Sequence, residues 1–403
     1  MVLERLVFLS KVQRMVRKAL QFGHFKKTAC HVARASVFLT VVALAAGVAG
    51  CASSPIEIED WYDLDAARHD MGGSYLLMND IDSTTAGYEE LAGKTANGGK
   101  GWQPIGNSDS RFVGKFDGQG HVIGGVFVNR PDEAPVGLFG AVDEGGVIQN
   151  VGVMNAIVTG EWLVGLLVGG NWGTVENCYS IGIVSGDDYV GGLVGGNAGD
   201  VSNSYCTVSV TGYRDVGGLV GSNDCYGTVT ICYSTGNVSG EWAVGGLSGS
   251  SLGGTIRYSH STANVSGGDY VGSLVGDNQG SVSDCYSIGD VVGDWHIGGL
   301  VGYNQGGVNS CYSIGRVAGE WHVGGLVGTN EGSVGNSFWD TQTSTQAASD
   351  GGTAKTTSEM KDITTFSQSN WNIIAVTQGV ANPSYIWNII DGQTYPFLSR
   401  SSF

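Results

Sequence analysis

The chain has 403 residues, 68 of them Gly and only 6 Pro, a length that suits one large core or one elongated repeat body. Gly without Pro and without a Gly-X-Y period excludes collagen and points to many tight turns. Residues 1–51 carry a net +7 and the whole chain −17, so residues 52–403 carry −24, a balance that disfavours nucleic acid and anionic lipid headgroups as partners and suits solubility outside the cell.

Residues 35–50 (ASVFLTVVALAAGVAG) form an uncharged, mostly apolar run behind Lys26, Lys27 and Arg34. The run is shorter than the ~20 residues of a membrane span and has the basic flank and small terminal residues of a secretory signal. It ends in Val48-Ala49-Gly50-Cys51, which resembles the bacterial lipobox. That resemblance implies export, removal of residues 1–50, and lipid attachment at the Cys51 thiol. The stretch before Lys26 is long for a basic region, so Met15 competes with Met1 as the start. Contact with the membrane is expected through the anchor only, with residues 51–59 as a tether.

Residues 60–70 (DWYDLDAARHD) suit a short helix and Ser74–Ile81 a strand, together with the first rungs of the repeat body over 60–136. From residue 137 to 340 the chain repeats itself. Leu138, Leu167, Leu193, Leu219, Leu247, Leu274, Leu300 and Leu326 recur at intervals of 26 to 29 residues. A second file runs Ile148, Val175, Val201, Val229, Ile256, Val282, Val308 and Val334. An aromatic file runs Tyr179, Tyr205, Tyr233, Tyr258, Tyr286, Tyr312 and Phe338, and a fourth runs Val158, Val184, Val210, Val238, Val265, Val291 and Val317. Each unit holds short β-branched or aromatic runs punctuated by Gly, Asn and Ser, none long enough for an amphipathic helix. One unit cannot bury its own apolar residues, so units must stack like on like. The fold class that follows is all-β: a right-handed parallel β-helix of about 26-residue rungs with small terminal caps. At ~4.8 Å per rung, eight rungs span roughly 40 Å. Val190 and Leu193 are an odd number apart, so which file points inward is left open. Over 341–403, Thr356 and Glu359 have capping-box spacing, and Asp391-Gly392 suggests a hairpin.

The segments VGGLVGGN (190–197), NCYS (177–180) and VGGLVGTN (323–330) resemble the GLUG-repeat family of bacterial and archaeal surface proteins. Residues 101–123 are similar to the segment that precedes such repeats, and 337–398 to their C-terminal closure. The resemblance implies a β-helical surface protein. It is a poor guide to activity, since the family spans adhesins and appendages of large proteases. The IgA-specific metalloendopeptidases that carry the repeat need a His-Glu-x-x-His helix, and none is present here.

The turn before each VGG holds the candidate ligand-binding residues: Glu161-Trp162, Asp188-Tyr189, Glu241-Trp242, Asp269-Tyr270, Asp294-Trp295 and Glu320-Trp321, with Tyr213-Arg214-Asp215 as a variant. Stacked, they would make an acidic–aromatic edge suited to sugar rings and their hydroxyls, or would simply cover and solvate the turn. Catalytic residues, metals and cofactors are not expected. Asp187-Asp188 sits in the ordinary repeat turn, and His296 and His322 are repeat equivalents offering too few ligands for a closed site. The Gly/Asp nonapeptide of Ca²⁺-binding β-helices is absent. The leading reading is a structural or adhesive surface protein binding cell-wall or host glycans or surface proteins. A β-helix polysaccharide lyase or glycosidase and a passive spacer are the alternatives. Cys178, Cys232, Cys285 and Cys311 share one register, with Ser204, Arg257 and Ser337 filling it elsewhere. Together with Cys206 and Cys225 they are either bridged or free thiols.

Overall fold

The computed structural model describes residues 54–399; the signal run, Met15 and Cys51 lie outside the described residues. The body is a parallel β-solenoid. Each rung contributes strands to three sheets: one of 11 strands from Ile56–Ile58 to Ser333–Gly335, one of 19 strands to which most repeat rungs give two runs, and one of eight strands from Phe139–Val142 to Val327–Asn330. The rung containing Thr174–Glu176, Tyr179–Ser185, Asp188–Gly191 and Val194–Asn197 is representative. Pairing between rungs is parallel and in register, so Val175 lies on Val201, Val184 on Val210 and Val194 on Val220.

Stacked identical residues build the core. The Leu file is fully buried, as are the two Val files apart from the half-buried Val334 at the last rung. Each such side chain removed from water contributes roughly 1.5–3 kcal/mol. Val190 and Leu193 both point inward because one strand ends at Gly191 and the next begins at Val194, with a corner between them. Gly192 makes that corner: a Cβ there would sit 2.1 Å from the carbonyl oxygen of Gly218 on the next rung.

Two further corners put one residue per rung in the left-handed region. The first is the file Asn150, Asn177, Asn203, Ile231, Tyr258, Asp284, Ser310 and Asn336, with φ from 48° to 57°. Asn and Asp tolerate this conformation best, which explains their prevalence. The second file is Leu163, Tyr189, Asp215, Ala243, Tyr270, His296 and His322, with φ from 51° to 56°.

The first corner corrects two assignments. Tyr258 does not belong to the aromatic file; it occupies the left-handed corner, and His260 takes the place between Tyr233 and Tyr286. Arg257 does not belong to the Cys register either. It pairs with Thr230 and Ser283 in the first sheet, and Ser259 fills the register. The Cys/Ser file is therefore buried throughout. The cause is the sequence RYSHS (257–261), where Tyr stands two residues ahead of its slot.

A buried asparagine ladder seals the turn after the third sheet. Asn171 Nδ2 donates to Asn197 Oδ1 and Asn197 Nδ2 to Asn223 Oδ1, both at 2.8 Å. Ser251 interrupts it. It then resumes with Asn278 to Asn304 and Asn304 to Asn330, both at 2.7 Å. The same amides bond turn backbone, as in Gly173 N to Asn171 Oδ1 at 3.1 Å.

Both ends of the rod are closed with polar and aromatic groups. Residues 56–58, read above as tether, form the first strand of the first sheet, and Ile58 is buried. Asp60 caps the helix Trp61–Ala66, accepting from the backbone N–H groups of Tyr62 and Asp63. Trp61 and Leu64 of that helix are buried. At the far end Ser349 Oγ accepts from Val327 N at 2.8 Å and Asp350 Oδ2 from Asn330 N at 2.7 Å. These side chains occupy the strand edge where another rung would bind. Thr353–Lys355 adds a last strand to the second sheet. Thr356 and Glu359 form a reciprocal capping pair, and a turn at Asp391-Gly392 joins Trp387–Ile389 to the antiparallel Phe397–Leu398. This C-terminal segment packs over the outer flank of the last rungs, where Trp371, Trp387 and Phe366 cluster with Tyr286, Tyr312 and Phe338.

Truncating a middle member of the asparagine ladder strands its neighbours' polar atoms in a dry site. Asn197→Ala is expected to lower stability by about 2 kcal/mol in chemical denaturation. An unchanged midpoint would mean the ladder contributes nothing net.

Candidate functional site

The second left-handed corner carries the acidic–aromatic residues, and the register arranges them differently from two uniform files. Trp162, Asp188, Arg214, Trp242, Asp269, Trp295 and Trp321 are in register along the edge of the second sheet. The acid of Asp188-Tyr189 and of Asp269-Tyr270 thus occupies the slot that Trp fills in other rungs. Their Tyr sits one place on, in the left-handed file. Glu161, Glu241, Asp294 and Glu320 lie one place before. The sequence allows this slide because GDDY and GGDY carry one more residue between Gly and the aromatic than GEW and GDW do.

The left-handed turn sends the side chains of its file over the outer face of the third sheet. Leu163 shows the geometry: a Cβ on Gly196 would lie 2.4 Å from Leu163 Cδ2. The outward position must be small there. Further along, VGGN becomes VGYN, and Tyr303 stacks on Tyr270 at 4.8 Å.

The twelve candidate residues divide into two groups. At the N-terminal end, Arg214 pairs with Asp188 at 3.4 Å and Asp215 at 3.6 Å, and lies 5.7 Å from the Tyr189 ring centroid. Burial raises the Tyr189 phenol well above its ordinary value, with the Asp215 charge adding to it. Glu161, Trp162, Asp188 and Tyr189 are all half-buried. The C-terminal end is open and aromatic. Trp242, Trp295 and Trp321 are 41%, 45% and 55% exposed. Trp295 and Trp321 stack at 5.4 Å, and Tyr270 meets Trp242 edge to face at 5.8 Å. Asp294, Glu241 and Glu320 flank them, exposed.

Two histidines that the sequence reading set aside complete this end. His296 Nδ1 donates to Asp269 Oδ1 at 2.6 Å, and His296 stacks on His322 at 4.9 Å. Tyr303 was also missed, although VGYN in place of VGGN marks it. Its phenol is pushed up to about 12 by the hydrogen bond to Glu331. Among the described residues no group of three or more His, Cys, Asp or Glu is placed to hold a metal ion.

The GLUG motif family matches residues 160–185, which run from the Glu161-Trp162 corner through the first Tyr of the aromatic file. The chain carries the GLUG motif. A protein of Evansella cellulosilytica named as a Gly-rich membrane protein is 37% identical over 137 residues, covering 33% of this chain and 15% of that protein. Halomucin of Haloquadratum walsbyi is 37% identical over 139 residues, covering 33% of this chain and 2% of that protein. The chain thus spans a small fraction of these relatives' own length. No solved structure matches it.

The GLUG rungs build a second aromatic file on the outer face of the second sheet. Tyr179, Tyr205, Tyr233, His260, Tyr286 and Tyr312 stack at 4.6 to 5.2 Å, with ring planes within 10°. The C-terminal segment covers Tyr286 and Tyr312, while Tyr179, Tyr205 and Tyr233 stay half-buried. Just before this file, Cys178, Cys232, Cys285 and Cys311 are buried thiols, and Cys206 is a buried thiol in a neighbouring register. Their file alternates with serine: Ser204, Ser259 and Ser337 accept from the backbone N–H groups of Cys178, Cys232 and Cys311 at 3.1 Å. Burial pushes the Cys178 and Cys232 thiols up to about 12. They behave as small core residues, not nucleophiles.

His260 is the weak point of its file in acid. Burial lowers its pKa to about 4, below the unfolded value near 6.5. The stability it contributes is present above that unfolded value and is lost as pH falls through the folded one. His260→Tyr, which restores the repeat residue, is expected to remove up to about 3 kcal/mol of stability loss between pH 6.5 and 4. Parallel denaturation curves at both pH values for the two proteins would rule the account out.

Proposed function

We propose that the mature chain is an exported cell-surface or envelope protein with a structural and adhesive role, anchored by lipid at Cys51, that binds glycans through the C-terminal half of its acidic–aromatic edge. The observation that carries the reading is the exposed Trp295–Trp321 stack, flanked by Trp242, the Asp269–His296 pair and the acids Asp294 and Glu320, on a rod that holds them fixed. Aromatic surface offers apolar contact at low entropic cost, and the carboxylates accept from hydroxyls. The names of the two relatives, a membrane protein and halomucin, favour a surface location. The acids of this edge recur as repeat positions on a continuous ladder, which favours binding over catalysis by a dedicated pair.

Two measurements address this reading. On a glycan array, the double variant Trp295→Ala/Trp321→Ala is expected to lose at least tenfold in retained signal, about 1.4 kcal/mol, with an unchanged far-UV spectrum. Equal signals from both proteins would end the assignment of glycan binding to the tryptophan edge. Mass spectrometry of protein from the native membrane is expected to find an N-terminus at a lipidated Cys51. An intact, unmodified Cys51 would remove the anchor.

A further inference from the structure

The tyrosine file has a free end. In register, Gly152 precedes Tyr179 and Val122 precedes Gly152. Tyr179 stacks on Tyr205 at 5.1 Å on one side. On the other it leans over Gly152, where a Cβ would lie 2.3 Å from the ring. Among the described residues no second ring stacks there. At this end an open cavity of about 530 Å³ is lined by Asp117, Gln119, Asn150, Gly152, Asn177 and Tyr179 among others. That volume is within the range of small-molecule pockets. The cavity lies at the start of the Tyr179–Ser185 strand, whereas the tryptophan edge follows that strand's far end.

The polar wall is held in place by a relay of side-chain bonds. Asn177 Nδ2 donates to Asn150 Oδ1 at 3.2 Å, and Asn150 Nδ2 to Asp117 Oδ1 at 3.0 Å. Gln149 Nε2 donates to Asp117 Oδ2 at 2.6 Å, and Gln119 N to Asp117 Oδ1 at 3.0 Å. Gln119 Nε2 is committed to the Leu77 carbonyl at 2.9 Å. Burial raises the Asp117 carboxyl, but the bonds from Asn150, Gln119 and Gln149, with Lys115 nearby, outweigh it and hold the group below its ordinary value. The relay ties down amide nitrogens and leaves the exposed oxygens Asn177 Oδ1 and Gln119 Oε1 without a protein donor among the described residues. Asn177 is also fixed by its left-handed backbone, φ 53°.

An acceptor-rich wall beside the half-buried Tyr179 ring, with no cation among the described lining residues, suits a ligand that brings hydroxyl donors and C–H groups to that ring. It disfavours carboxylate, sulfate and phosphate, as does the −24 charge of the body. We infer that the free end of the tyrosine file is a second glycan subsite, taking an uncharged hexopyranose unit against Tyr179 with its hydroxyls on Asn177 and Gln119. This subsite does not depend on the tryptophan edge.

The test is made in the Trp295→Ala/Trp321→Ala background, where that edge is silent. The probes are an array of neutral gluco-, galacto- and manno-oligosaccharides beside oligogalacturonates and sulfated chains, followed by calorimetric titration with the best-retained oligosaccharide. Neutral chains are expected to bind and anionic chains not to. Adding Tyr179→Ala is expected to cut affinity at least tenfold. Asn177→Gly, which keeps the left-handed conformation and removes only the amide, is expected to cut it severalfold, so the result does not hang on one variant's folding. Retention of anionic chains alone, no neutral binding in this background, or binding that survives both substitutions would overturn the subsite. None of these outcomes bears on whether the tryptophan edge binds glycans in the otherwise unaltered protein.

Discussion

Parallel backbone pairing in strict register is the constraint from which the rest of this molecule follows. Once each rung lies directly on the last, every side chain meets its own counterpart one rung away. Only residues that tolerate self-contact can then repeat. Leu and Val do so by apolar packing in the interior. Asn does so because its amide is both donor and acceptor, and each Asn can give to the next and receive from the one before. Tyr does so by offset stacking on the surface. Charged residues do so poorly, and the edge shows it: the file running from Trp162 to Trp321 alternates Trp with acids and one Arg, and no two acids are adjacent in it.

The corners are where the constraint relaxes, and so where chemistry can vary. A left-handed residue steps out of the backbone ladder: pairing runs from Asp188 to Arg214 and from Val190 to Val216, skipping Tyr189 and Asp215. Its side chain is carried over the neighbouring face, not stacked in the core. The second corner accepts Leu, Tyr, Asp, Ala and His in turn, while the interior beneath it stays Val or Ile. Sliding the acid inward by one residue, as GDDY and GGDY do, trades an exposed Trp on the edge for a Tyr folded over the third sheet. The rod can therefore change its outer surface rung by rung without disturbing its core.

That separation also explains what could be read from the sequence. The Leu and Val files were legible because burial demands the same residue in every rung. Parity was not, since the bend at Gly192-Leu193 depends on a close backbone approach that periodicity does not record. The aromatic file was legible except at Tyr258. There, counting by residue type favoured the wrong member of RYSHS, and only the left-handed backbone shows that His260 holds the slot. The misplacement of Arg257 had the same origin and made a wholly buried Cys/Ser file look partly exposed. The twelve candidate residues all lie at or beside the second corner, but their division into neighbouring files was not legible, because adjacent acid–aromatic pairs look alike whether or not they have slipped by one.

The two outer aromatic files end in different circumstances. The tyrosine file is buried at its C-terminal end by the chain's own segment, which sets Trp387 and Trp371 against Tyr312 and donates indole N–H groups to Asp284 and to the Asn336 carbonyl. At its N-terminal end no second ring among the described residues covers Tyr179, which leans over Gly152, and the space beside it is lined by amides and Asp117 as well as by Val151. The tryptophan edge runs the other way: its N-terminal members are drawn into the Arg214 ion pairs, while Trp295 and Trp321 stand open. Each outer file thus presents one aromatic terminus with polar neighbours, Tyr179 near the middle of the rod and Trp321 towards its C-terminal end. In a rigid body the span between them is fixed, so an extended polymer engaging both would be bound with a high effective concentration at the second site once held at the first.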